Sequence, residues 1–135
     1  MKYITGEHAL NINCSLLTSG DWHQSFLRWE DITFRDTKDS IFSDYGIEHN
    51  KSIPKHDQLF SVANHIRALL DLLEMGMFNI AQGMNDDFIG NDDYNPEVFD
   101  KVGMMYKLSH WNQIDEFMLK EYSNEWINFK ALRDL

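Results

Sequence analysis

Between Arg67 and Lys101 the chain has no lysine, arginine or histidine. The same window holds eight acids: Asp71, Glu74, Asp86, Asp87, Asp92, Asp93, Glu97 and Asp100. The formal net charge of the 135 residues is -10, so this window carries most of it, and fourteen acids face twelve bases elsewhere. With so little positive charge to displace counterions, direct nucleic-acid binding through phosphate contacts is not expected. Attraction to an anionic membrane is not expected either. Cysteine is also scarce. Cys14 stands alone, which excludes an intrachain disulfide and a fold that depends on an oxidising compartment. No apolar signal core opens the chain, and the apolar stretch from Ile66 to Met77 is interrupted by Arg67, Asp71 and Glu74. It is too short and too charged to span a bilayer. A soluble cytoplasmic protein is expected. A glycine loop for phosphate, a dinucleotide fingerprint, a GxSxG elbow and a CxxC pair are all missing, which removes the usual positive evidence for an enzyme or a cofactor.

What remains is ordinary globular material rich in rings. Hydrophobic residues make up 43% and aromatic residues 13%, with four Trp and nine Phe, enough for one domain over residues 1–135 with its own core. The pattern changes near residue 55. Up to there the chain reads as strands and turns. Leu10, Ile12, Cys14 and Leu16 alternate with polar neighbours at a period of two, and Ile32 and Phe34 do so again. Thr18-Ser19-Gly20-Asp21 is a turn signal. Residues 36–55 read as a long irregular connection.

From residue 56 the chain reads as helical. Phe60, Ala63, Ile66, Leu70 and Leu73 lie at helical spacing, with Gly76 suited to the position after the last turn. Asn95-Pro96-Glu97 is a helix start, with Asn as cap, Pro in the first turn and an acid facing the macrodipole. Trp111, Ile114, Met118, Tyr122, Trp126 and Phe129 form one stripe on a long final helix that begins near Ser109. The fold class is therefore α+β: a small N-terminal antiparallel β element packed on three to four C-terminal helices.

The acidic window offers the sharpest functional reading. As a calcium loop counted from Asp86 it fails, because Phe88 takes a ligand position and Gly90 falls one place early. As a solvated loop between helices it needs no function. As a docking surface it combines Asp86, Asp87, Asp92 and Asp93 with Phe88 and Tyr94, apolar anchors inside a charged rim. Asp115, Glu116, Glu121 and Glu125 extend that surface if the final helix runs beside it. Asp21 and His23 form an Asp-x-His pair of the kind that can serve a metal or a general base, and Cys14 with His23 is a conceivable nucleophile and base. A turn held by Asp21, with Trp22 as its anchor, accounts for the same residues. His65 and Arg67 read as a polar helix face.

In size, acidity and aromatic content the chain is similar to small acidic bacterial proteins that neutralise a toxin, a nuclease or another phosphate-binding protein. That likeness rests on no motif and carries no residue roles. The leading expectation is a non-enzymatic antitoxin, immunity protein or inhibitor that meets a basic partner through Asp86, Asp87, Phe88, Asp92, Asp93 and Tyr94, without metal or cofactor. The alternatives are a small metal-dependent hydrolase using Asp21 and His23, and a subunit of a homo-oligomer, such as a homodimer joined along the aromatic final helix.

Overall fold

The computed structural model describes residues 1–22 and 27–135. The chain divides into two compact units, Met1–Asp71 and Leu72–Leu135. The fold is α+β, with a four-stranded sheet in the first unit and helices dominating the second.

The sheet consists of β1 (Lys2–Ile4), β2 (Phe34–Asp36), β3 (Ile47–Lys51) and β4 (Phe60–Ala63), in the order β2-β1-β4-β3. β1 runs antiparallel to β2 and parallel to β4, and β3 runs antiparallel to β4 with a register shift between Glu48 and Lys51. The sheet is therefore mixed rather than antiparallel. A short helical turn, α1 (Gly6–Ala9), follows β1. The strand-rich part extends to Ala63, past the expected change of pattern near residue 55. Phe60 and Ala63, assigned from their spacing to a helix, belong to β4. The true helix, α2 (His65–Glu74), begins after Asn64, whose side-chain oxygen accepts the Arg67 backbone N–H at 2.8 Å.

The expected strand over Leu10–Leu16 is not one. Leu10, Ile12 and Cys14 are buried, as the alternation requires, but their backbone turns instead of pairing. The N–H of Ile12 bonds Ala9 O and that of Leu17 bonds Cys14 O, while Ile12 O and Asn13 O accept from the His65 and Lys51 side chains. Main-chain groups satisfied in this way need no neighbouring strand.

Beyond Glu74 the expected glycine stop is present. Gly76 has φ +76°, with the N–H of Gly76 bonded to Leu73 O and that of Met77 to Leu72 O, the paired bonds of a Schellman C-cap. The second unit continues through α3 (Phe78–Ala81), α4 (Asn95–Gly103), α5 (Trp111–Tyr122) and α6 (Asn124–Arg133). The long final helix is thus two helices, broken at Ser123, whose φ of +52° and ψ of -124° cannot continue an α-helix. The stripe survives the break. Ile114, Met118, Tyr122 and Trp126 are buried, and Phe99 of α4 meets Tyr122, Trp126 and Phe129 with ring centroids 4.8, 5.5 and 5.6 Å away. The middle of the stripe thus packs into the unit's own core, while Trp111 and Phe129 at its two ends are half-buried. No helix among the described residues is long and apolar enough to cross a membrane.

Candidate functional site: an acidic face of the second unit

Two left-handed glycines frame the acidic segment. Gly83 at φ +94° and Gly90 at φ +57° bound a single wide turn, Met84–Ile89. The N–H of Gly90 reaches back five residues to Asn85 O at 2.9 Å, the bonding of a π-type turn. Met84, Phe88 and Ile89 fall on its inner side, while Asp86 and Asp87 face outward and are exposed. Phe88 is 3% exposed. The expectation that it anchors a partner is corrected here: standing four residues after Met84, it is turned by the helical repeat into the unit's interior. Asn91 then caps a short 3-10 turn by accepting the Asp93 N–H at 2.9 Å, leaving Asp92 and Asp93 exposed and Tyr94 half-buried.

The final two helices hold this segment in place. The Glu121 carboxylate of α5 accepts the backbone N–H of Gly83 at 3.1 Å and of Asn85 at 3.2 Å, and Asn85 Nδ2 donates to Glu121 O at 2.9 Å. Glu125 of α6 accepts from Asn95 Nδ2 at 2.6 Å. Asn95 therefore spends its side chain on Glu125 rather than on the helix cap assigned to it. As expected for helices beside the loop, Glu121 and Glu125 add their charges to the same face.

Tyr122 closes α5 beside Glu121 and packs on Phe99 of α4. Its hydroxyl is buried and has no hydrogen-bond partner among the described residues. Burial, and after it the charges of Glu121, Glu125, Asp92 and Asp86, push the phenol above its ordinary pKa. Among the described residues no base pairs with Asp86, Asp87, Asp92 or Asp93. This cluster of like charge costs free energy through self-repulsion. Glu121 and Glu125 are among the acids expected to extend this surface, and they reach it from two helices on either side of Ser123.

Two other acids of the window, Asp100 and Asp71, pair with bases. Asp100 meets Arg133 at 2.7 Å. Asp71 is fully buried with Arg67. Its Oδ1 accepts from Arg67 Nε at 2.9 Å and Arg35 Nη1 at 2.8 Å, and its Oδ2 accepts from Tyr3 and Thr5 hydroxyls at 2.6 and 2.7 Å. The geometry follows from local rules. Tyr3 and Thr5 lie two apart, so they share a face of the strand and its extension. Tyr3 is the cross-strand partner of Arg35, and Arg67 is four residues from Asp71 on α2. The bonding is complete, which marks this network as structural.

The residues of the metal-site alternative are only partly placed. Asp21 is exposed and accepts a hydrogen bond from Ser19 Oγ, and Trp22 is buried. His23 lies outside the described residues. Among the described residues no three His, Cys, Asp or Glu side chains are arranged to hold a metal ion. Cys14 finds a different histidine. Its Sγ lies 3.9 Å from Thr18 Oγ1, which bonds His65 Nδ1, and His65 Nε2 donates to Ile12 O at 2.7 Å. Burial raises the thiol pKa, but hydrogen bonding to the His65 side chain and N–H outweighs it and holds Cys14 below its ordinary value. His65 is fully buried, not on the polar face expected of it.

No family model matches the chain, and comparison with curated proteins and with solved structures likewise gives no match.

Proposed function

We propose that the protein is a non-enzymatic, cytoplasmic binding protein of the antitoxin, immunity or inhibitor type, and that it covers a basic surface on a toxin, nuclease or other nucleic-acid-binding partner. The observation that carries this reading is the set of exposed Asp86, Asp87, Asp92 and Asp93 without bases, reinforced by Glu121 and Glu125. A cluster of like charge is tolerated where an opposite charge relieves it, and such a field speeds encounter with a cationic partner. Tyr94, half-buried beside the aspartates, takes the anchoring role in place of Phe88.

The test is capture from host lysate with the wild-type chain and with a variant carrying Asp→Lys at positions 86, 87, 92 and 93. These side chains are exposed, so the fold is expected to hold. The wild type retains a basic protein, identified by mass spectrometry, and the variant releases it. The association rate of the purified pair falls steeply with added salt. Equal retention by both chains rejects the assignment of this face.

A further inference from the structure

Next to the acidic segment, α3 and α5 enclose a cleft of about 310 Å³. Ligand pockets run from roughly 300 to 1,000 Å³, so this one suits a single side chain better than a cofactor. Its base is aromatic. Phe78 and Phe117 lie with centroids 5.6 Å apart and planes tilted by 37°, Phe117 nearly buried and Phe78 half-buried. Its rim is polar, with the amide of Gln113 and the carboxylates of Glu116 and Glu121. Glu121 also clamps the start of the acidic segment, so cleft and segment share a residue.

We propose that this cleft receives an arginine side chain of the basic partner. The chemistry of the lining selects it. A guanidinium is flat and weakly hydrated, stacks on aromatic faces and offers five N–H donors to carboxylate and amide oxygens. Two carboxylates outweigh the one ammonium at the rim, that of Lys120. Lys120 is exposed, and its flexible stem lets the charge move aside. A neutral aromatic ligand would leave the rim carboxylates facing nothing. A lysine ammonium would satisfy them but stack less well. The proposal rests on the reading of the protein as an acidic binding protein and specifies one contact within it.

The experiment is a titration of the full isotope-labelled chain with N-acetylarginine amide, followed by backbone NMR. N-acetylcitrulline amide serves as the uncharged isostere, and a hexa-arginine peptide probes the whole face. The arginine compound is expected to shift the signals of Gln113, Phe117 and Glu121 saturably, while the citrulline compound leaves them in place. Glu116→Gln weakens binding and Lys120→Gln strengthens it, each by about twofold to fivefold, the scale of an exposed ion pair. Both positions are exposed, so neither change threatens the fold. Equal shifts from arginine and citrulline compounds overturn the proposal, as does indifference to both substitutions. Hexa-arginine shifts confined to Asp86–Asp93 overturn the cleft and leave the acidic face standing. Absence of any shift with hexa-arginine counts against both.

Discussion

Asp71 shows how far one carboxylate's role depends on what surrounds it. By composition it is one of eight acids in a base-free window, yet it contributes nothing to the surface field because Arg67 and Arg35 neutralise it inside the first unit. Removing one partner of a buried ion pair strands the others. Asp71→Asn takes from the fully buried Arg67 guanidinium the carboxylate it pairs with, and is expected to cost about 3–5 kcal/mol. Urea unfolding of the wild type and the variant measures this, and a loss under 1 kcal/mol would show that the pair is dispensable. The spacing of Arg67 and Asp71 was visible in the sequence. That it turns inward was not, because three of the four donors come from β1, β2 and the turn after β1, between 36 and 68 residues away. The histidines carry the same lesson. His8, His56, His65 and His110 each direct Nε2 at a main-chain carbonyl oxygen, so each is a structural donor.

At the level of elements, the break at Ser123 replaces one long helix by two. The apolar stripe does not reveal it, because a single non-helical residue barely disturbs a repeat of 3.6 and the rings on both sides still face one core. Ser123 occupies a conformation favoured by glycine, so Ser123→Gly is expected to raise stability by about 1 kcal/mol, read as an upward shift of the unfolding midpoint. Asp115 bridges the break. It accepts Trp126 Nε1 and Lys130 Nζ, both at 2.8 Å. Burial raises its pKa, but the hydrogen bonds to Lys130 and Trp126 win and hold it below the usual carboxylate value. A depressed pKa means that the bridge stabilises the fold above the unfolded value of about 3.9 and is lost as pH falls through the folded one. The stability gap between wild type and Asp115→Asn is therefore expected to be constant near neutrality and to close below about pH 4. A gap that stays open in acid would assign the effect to packing. Strand placement was the least legible part of the sequence. β1, β3 and β4 are three to five residues long and too short to show a period. The buried run from Leu10 to Cys14 shows the period of two without being a strand.

Across the molecule, the class of fold and the acidic segment were legible, and the surroundings of that segment were not. Composition and the change from alternating to helical spacing were enough for α+β. The local charge excess pointed to residues 86–93. Which of its apolar neighbours face inward depends on a wide turn that no short pattern announces, and so the burial of Phe88 was not legible. The additional charge of Glu121 and Glu125 was legible on the condition that the final helix lies beside the loop, a condition that α5 and α6 meet through Gly83, Asn85 and Asn95.

The buried network around Asp71 also bears on the order in which the first unit assembles. β1 pairs with β4 across nearly sixty residues, and the carboxylate that joins Tyr3, Thr5, Arg35 and Arg67 sits at the end of that unit. Closing such distant pairs early is entropically costly, so they form late. During synthesis the first strand therefore waits, unpaired on its β4 edge and with its tyrosine hydroxyl unclaimed, until α2 has emerged. Through that interval the opening strand offers a free edge to any other chain nearby.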